Sequence, residues 1–109
     1  MQPGKFDRRI QFRRYTVTDD GYSSVEEFKD LGKAIWASRR DVSDGEKAAN
    51  GSVFAEISAR FVVRSDTFTR SITPKDRLIE EGQEFEIIGL KQLGRRDYLE
   101  ITAVAASDG

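Results

Sequence analysis

The carboxylates between residues 80 and 86 form the first group whose types and spacing could support chemistry. Glu80, Glu81, Glu84 and Glu86 lie close together in sequence, and clustered carboxylates can bind a cation or act as an acid and a base. Gly82 predicts a tight hairpin among them, and period-two alternation then places Glu84 and Glu86 on the solvent face. An exposed strand face is the better interpretation, so we expect no metal and no cofactor.

Other catalytic groups are missing from the composition. The chain has no histidine and no cysteine, which removes the usual general base near neutral pH, the commonest metal ligand and thiolate chemistry. Its glycines are scattered singly and form no phosphate-binding loop. Serines are present, but no histidine exists to activate one. The composition therefore argues against an enzyme.

Arginines and aromatic residues around residues 33–64 suggest a different chemistry, namely contact with phosphates or with a partner. Small β-barrels bind single-stranded nucleic acid through such mixtures. Trp36 and Phe61 also sit in apolar alternation, which predicts that both lie in the core. The net charge of −1 is unlike that of an autonomous nucleic-acid-binding domain. Weak contacts with DNA stay compatible with a multi-copy assembly. The candidate DNA or partner contacts are Arg39, Arg40, Arg60 and Arg64.

Charge is distributed along the chain in blocks of alternating sign. Residues 1–15 are net positive, residues 16–32 net negative, residues 33–70 net positive and the remainder net negative. Such blocks suit a protein that meets copies of itself or a charged partner face to face, although solvated strand faces would show the same pattern. The candidate subunit-interface residues are Arg8, Arg9, Arg13, Glu26 and Glu27.

Short runs of period-two alternation predict strands along most of the chain. The clearest run, residues 55–64, places Ala55, Ile57, Ala59, Phe61 and Val63 on one face. The other strands are predicted over residues 6–15, 25–30, 34–42, 77–79, 84–90 and 98–104, with Gly32 marking a bulge or bend between two of them. These signals predict an all-β fold, a small barrel or sandwich of about six short antiparallel strands with at most a short helical turn.

One long polar segment, about residues 41–54, interrupts this pattern. It could include one helical turn, with Ser43 or Asp44 as the N-cap and Asn50-Gly51 as the stop. Long loops held by strong strands are usually functional. We therefore assign the function to this loop, and its candidate residues are Asp44, Gly45, Glu46, Lys47, Asn50 and Gly51.

Length and hydropathy indicate one domain over residues 1–109, with a tail at about 105–109 that we expect to fray. No apolar run approaches the ~18 residues of a membrane span, so we expect no membrane partner. The first residues lack the apolar core of a secretory signal.

Several short motifs follow one another in an order that resembles a known family. Each motif is weak alone, but together they cover the chain from about Phe6 to Val104 and resemble the tailed-phage head–tail joining proteins, also called head-closure or stopper proteins. Relatives occur in proviruses and in gene transfer agents of bacteria. One departure is Asp41, where many relatives have a proline. The motifs are DRRIQF (7–12), DGY (20–22), EEF (26–28), IWA (35–37), RDVSDGE (40–46), ISARFVVR (57–64), TPKDRL (73–78) and FEIIG (85–89).

The resemblance implies a small β-barrel assembled as a ring, commonly of twelve subunits, in the neck of a virion or phage-like particle. The ring would lie below the portal and its adaptor protein and would receive a tail protein on its other side. It also implies that the loop at about residues 41–54 projects into the channel and helps to retain DNA. Assembly would take place in the bacterial cytoplasm.

Two other functions stay open from the sequence. The chain could be a tail-side terminator or completion protein, which sequence distinguishes poorly from a head-closure protein. It could also be a free-standing nucleic-acid-binding barrel, in which case Arg39, Arg40 and Arg60 would supply phosphate contacts.

Overall fold

A computed structural model of the chain describes residues 4–42 and 58–106. Within these residues the secondary structure is six β-strands and one short 3₁₀ turn, Thr69–Ser71. The all-β prediction is confirmed. The strands are β1 (Arg8–Asp19), β2 (Ser24–Asp41), β3 (Ser58–Arg64), β4 (Arg77–Glu80), β5 (Gln83–Leu93) and β6 (Tyr98–Ala105).

The strands close into an antiparallel barrel in the order β1-β2-β3-β6-β5-β4. Closure comes from β1, which pairs with β2 along its whole length and with β4 over residues 10–13. Of the two predicted architectures the chain adopts the barrel. A closed barrel satisfies the backbone hydrogen bonds of every strand within its wall and leaves no sheet edge there.

The core lies inside this barrel and is built by the predicted alternation. Ala59, Phe61 and Val63 of β3 are fully buried, as are their counterparts on β6, and the rings of Phe61 and Phe85 meet edge to face at 5.4 Å. Fully burying each large apolar side chain contributes about 2 kcal/mol to stability. The buried apolar cluster comprises Ile10, Phe12, Ala37, Ala59, Phe61, Val63, Ile72, Leu78, Phe85, Ile87, Leu99, Ile101 and Ala103.

Trp36 is not part of this core, so its predicted burial is wrong. Its side chain is 53% exposed on the outer wall, because the neighbouring Ala37 is the residue that points inward. Arg9 lies opposite Trp36 in the β1–β2 register, and its guanidinium carbon stands 4.8 Å from the indole centroid. This cation–π contact holds the indole against the outer wall.

The two predicted strands on either side of Gly32 form one continuous strand with a bulge. The β1–β2 register shifts between Ile10 and Phe12, and Gly32 there has φ +67°. The amide of Gln11 donates to the carbonyls of Leu31 (3.2 Å) and Gly32 (3.1 Å), beside this irregular pairing. The prediction of a bulge at Gly32 is confirmed.

The polar stretch after β3 folds over this bulge, an arrangement that its composition did not indicate. Asp66 and Thr69 exchange hydrogen bonds, and the Thr69 hydroxyl also donates to the Arg64 carbonyl at 2.8 Å. These bonds position the ring of Phe68 against Phe12 and over Gly32. The stretch thereby packs against the apolar core through Phe68.

Replacement of Gly32 by alanine is expected to lower the free energy of unfolding by about 2 kcal/mol. A Cβ at this position would lie 2.7 Å from the Phe68 ring and would also require a left-handed backbone conformation that alanine disfavours. Chemical denaturation of the purified variant measures the loss. Gly82→Ala is the matched control, because Gly82 has φ +79° but nothing within 4 Å of a Cβ. Equal losses in the two variants would show that Phe68 packing adds nothing.

The β4–β5 hairpin has the predicted tight turn. Glu81 and Gly82 have φ values of +51° and +79°, the pair of left-handed conformations that a two-residue turn of this hand requires. Glu84 and Glu86 follow on the outer wall and pair with Arg77 at 3.3 and 3.1 Å. Their predicted position on the outer face is confirmed.

Candidate partner-binding surfaces

The two described residues that flank the predicted loop, Val42 and Ser58, are hydrogen-bonded to each other. The backbone N–H of Val42 donates to the carbonyl of Ser58 at 3.0 Å, immediately after the Asp41–Ala59 pair of the β2–β3 ladder. Residues 43–57 therefore leave and re-enter the barrel at neighbouring positions. The predicted helical turn and the predicted channel residues (Asp44, Gly45, Glu46, Lys47, Asn50, Gly51) lie outside the described residues.

A buried ion pair lies inside the barrel next to this point. Glu80 at the end of β4 has a fully buried side chain, and its Oε1 accepts a hydrogen bond from Nη1 of Arg39. The Arg39 guanidinium also lies over the rings of Phe61 and Phe85, 5.8 and 5.5 Å from their centroids. Burial lowers the pKa of Arg39, but bonds to Asp41 and Glu80 outweigh it and leave the pKa raised. Arg39 is therefore charged at every relevant pH.

Arg8 completes this group from the neighbouring strand. Its Nη1 lies 3.5 Å from Oε2 of Glu80 and donates to Oε1 of Glu81 at 3.0 Å. Glu80 Oε2 has no hydrogen-bond partner among the described residues, so the 3.5 Å ion pair is its nearest compensation. The base of residues 43–57 is thus fixed by a charged cluster of Arg8, Arg39, Asp41 and Glu80.

Glu80 belongs in sequence to the carboxylate group interpreted as an exposed strand face, but its side chain is fully buried, which the alternation of Glu84 and Glu86 does not predict. A signal was available, since Glu80 follows the fully buried Leu78 by two residues and so faces the same side of β4. Within the described residues, no group of three or more carboxylates has the arrangement of a metal site.

The four arginines predicted to contact DNA or a partner do not form one patch. Arg39 points into the barrel, while Arg40 and Arg60 occupy opposite positions of the β2–β3 ladder on the outer wall. Arg64 is exposed at the far end of β3, beside Trp36. Only Arg40 and Arg60 are brought together, and the predicted contacts stay predictions.

The predicted subunit-interface residues are also divided. Arg8 serves the charged cluster, Arg9 stacks on Trp36, and Arg13 pairs with Asp30 at 3.3 Å and donates to the Phe28 carbonyl at 2.7 Å. Glu26 and Glu27 lie together on an exposed part of β2.

That exposed part belongs to a hairpin that extends beyond the barrel. The β1–β4 pairing stops at Arg13, but β1 and β2 remain paired to Asp19 and Ser24. We call residues 14–29 the arm; it projects by roughly 20 Å, the length of six extended residues. The predicted end of β1, at Tyr15, is four residues too early, because the strand continues to Asp19. The arm exposes the large apolar side chains Tyr15, Val17, Tyr22 and Val25.

Arg14 anchors the arm to the barrel. Its guanidinium makes two hydrogen bonds to the buried carboxylate of Asp76, at 2.9 and 3.0 Å, and a third to the Ser71 carbonyl at 3.0 Å. Burial alone raises the pKa of Asp76, but the bonds from Arg14 and from the Thr73 backbone N–H outweigh it, so that pKa is lowered. The Asp76 carboxylate is therefore ionised well below neutral pH.

The tip of the arm is ordered by a second carboxylate. Oδ1 of Asp20 accepts the backbone N–H groups of Tyr22 (2.9 Å) and Ser23 (2.8 Å), and these bonds lower the pKa of Asp20. Tyr22 is held at the end of the arm with 98% of its surface exposed. An ordered tip with an exposed aromatic side chain is suited to contact with another protein.

A second exposed apolar surface surrounds Trp36. A pocket of about 240 Å³ lies beside the indole, between the end of β3 and the start of the chain. We call it the Trp36 pocket; it is lined by Phe6, Ile35, Trp36, Arg64 and Asp66.

No described helix is long and apolar enough to cross a membrane.

A closed barrel with a projecting arm and an exposed aromatic pocket defines a β module with surfaces suited to contact with other macromolecules. The family of this one is shown by sequence. Residues 1–106 match the model of the phage head completion protein family, and the chain belongs to that family. The resemblance to head-closure proteins is confirmed, and the role is structural, in completing the head of a phage-like particle.

Two solved structures share the barrel. The solution structure of protein SF1141 from Shigella flexneri 2a is 25% identical, with both chains fully covered and a TM-score of 0.80. A chain from the virion of a native gene transfer agent particle is 23% identical over 94% of this chain and 97% of that chain, with a TM-score of 0.66. The second likeness shows the fold alone. No curated protein matches the sequence significantly.

Proposed function

We propose that this protein forms a ring that closes the head channel of a phage-like particle and joins the head to the tail. In this proposal the whole chain acts as one unit without catalytic activity, and the ring lies between the portal-side adaptor and a tail protein. Twelve copies is the number that the family resemblance implies. The loop at about residues 41–54 faces the DNA channel.

The observation that carries the proposal is the joint between the barrel and residues 43–57. A channel loop must be free to change its path while its base keeps a fixed position in the ring. Here the two ends meet at the Val42–Ser58 hydrogen bond, and the buried Arg39–Glu80 pair lies next to them. The barrel therefore supplies a rigid base for an insertion that is long for a strand-to-strand connection.

The gene transfer agent chain with the same fold is itself part of a virion, which supports a position within a particle. We further propose that the subunits assemble in the bacterial cytoplasm, where particle components are made. The alternative is a tail-side terminator or completion protein, which would lie on the other side of the junction. Imaging the neck of the assembled particle distinguishes the two.

Deletion of residues 44–52 tests the proposal. We expect the variant to fold with an unfolding midpoint close to that of the unmodified chain, because the barrel and the Val42–Ser58 joint are retained. We expect particles assembled with it to lose packaged DNA or to lack tails, measured as protected DNA per particle and as the tailed fraction in electron micrographs.

A variant in which residues 44–52 are replaced by glycine and serine at equal length is the matched control, since it keeps the length of the loop and removes its side chains. Particles that retain DNA and carry tails despite the deletion would contradict the gating role. A deletion variant that fails to fold would instead contradict the independence of barrel and loop.

A further inference from the structure

The tip of the arm has a shape and chemistry suited to insertion into a pocket on another protein. Tyr22 is held outward by the Asp20 hydrogen bonds, and Val17 and Val25 expose apolar surface behind it. A tyrosine at such a position offers a large contact area and loses little conformational freedom on binding.

The Trp36 pocket has the shape and chemistry of a receptor for such a group. Its volume of about 240 Å³ corresponds to roughly eight water molecules, which leaves room for one aromatic side chain. Trp36 is already oriented by Arg9, so the pocket is largely formed before any partner arrives. Tryptophan and arginine are the residues most enriched at the centres of protein interfaces.

The charges of the two surfaces are complementary. Between Tyr15 and Phe28 the arm carries four carboxylates and no cation. Among the described residues, Glu27 alone of these four has a basic group within 4 Å, Lys29 at 3.7 Å. The Trp36 pocket is flanked by the guanidinium groups of Arg9 and Arg64, against one carboxylate, Asp66. Opposite potentials of this kind fix the orientation of two proteins that meet.

An arm cannot fill the pocket of its own chain. Arg9 and Asp19 are ten residues apart along the extended strand β1, a separation of roughly 33 Å, and Tyr22 lies farther still. A second copy of the chain is therefore the occupant that carries a fitting tip.

We propose that the arm of each subunit docks in the Trp36 pocket of the next subunit, with Tyr22 beside Trp36. The two surfaces differ, so the contact is heterologous, and repetition around a rotation axis closes a ring. This inference rests on the ring of the proposed function and names the contact that holds it together. It uses Arg9, Glu26 and Glu27 as intersubunit residues, and leaves Arg8 and Arg13 to their contacts within one chain.

Disulfide cross-linking tests this contact directly, because the chain has no cysteine of its own. In particles assembled with the Tyr22→Cys and Arg64→Cys double variant, oxidation is expected to give a ladder of covalent dimers, trimers and larger oligomers on a non-reducing gel. Each single variant is expected to give no ladder. The matched control is Tyr22→Cys with Ile88→Cys, since Ile88 is also exposed but lies on β5, across the barrel from β2.

The outcomes separate this inference from the proposed function. Particles that contain the protein in several copies but give no ladder would overturn the arm-to-pocket contact and leave the ring standing. Dimers from Tyr22→Cys alone would overturn it as well, because they require two tips to meet. Intact tailed particles that lack the protein altogether would overturn the proposed function itself.

Charge reversal gives a second measurement if the cysteine variant assembles poorly. Glu26→Lys with Glu27→Lys, and Arg9→Glu with Arg64→Glu, are each expected to lower the yield of tailed particles at least tenfold. Combining all four changes is expected to restore most of the yield. Failure of the combined variant to recover, with both charge-reversed proteins folded, would contradict the pairing.

Discussion

Arg39→Met is expected to lower the free energy of unfolding by about 3 kcal/mol. The substitution leaves the carboxylate of Glu80 fully buried, with Arg8 at 3.5 Å as its remaining basic neighbour. Methionine preserves packing against Phe61 and Phe85, so the loss reports mainly on the unpaired charge. Equilibrium denaturation by urea, followed by the fluorescence of the single tryptophan, measures it.

The control for this variant removes both charges of the buried pair. Arg39→Met combined with Glu80→Leu removes both charges and is expected to recover most of the lost stability, because replacing a buried ion pair by apolar groups of similar size is often neutral or favourable. If the stability lost in the double variant equalled the sum of the losses in Arg39→Met and Glu80→Leu alone, the coupling between Arg39 and Glu80 would be disproved.

The second large effect concerns the anchor of the arm and depends on pH. Arg14→Met is expected to cost about 2 kcal/mol at pH 7, less than full burial would give because the Arg14 guanidinium is partly solvated. Since the pKa of Asp76 is lowered by Arg14, the stability that Asp76 contributes is fully present above its unfolded pKa of about 3.9. It is lost as the pH falls through the lower folded value.

Without Arg14, only the hydrogen bonds from Thr73 oppose the effect of burial, so the pKa of Asp76 is expected to be higher than in the unmodified protein. The difference between variant and unmodified protein is therefore expected to shrink as the pH falls below about 4, where Asp76 becomes protonated. Denaturation curves at pH 7 and pH 3 measure this change. Lys29→Met is the matched control, because Lys29 faces Arg14 in the β1–β2 register and is exposed. A difference that stayed constant with pH would argue against a role for the Asp76 carboxylate.

The sequence predicted the core of the barrel well wherever one apolar residue alternates with one polar residue. Ala59, Phe61 and Val63 follow that rule, as do Leu99, Ile101 and Ala103. The burial of Trp36 was predicted wrongly because Ile35, Trp36 and Ala37 are consecutive apolar residues, which do not define the inward face of the strand. The bulge at Gly32 also changes the register just before them.

The charged contacts could not be predicted from the sequence, for a different reason. Arg39 and Glu80 are 41 residues apart and Arg14 and Asp76 are 62 apart, so only closure of the barrel brings each pair together. The arm was underestimated because both of its faces are solvated beyond Arg13. Thr16, Val17 and Thr18 favour extended structure, but no buried face imposes an alternation there.

The joint at Val42 and Ser58 has a consequence for how this protein can change over time. Once the two ends of an insertion are fixed side by side, lengthening it costs only the entropy of a larger closed loop, about 0.6 kcal/mol for each doubling. Segments of quite different size and composition can therefore be exchanged at this position while the barrel remains the same.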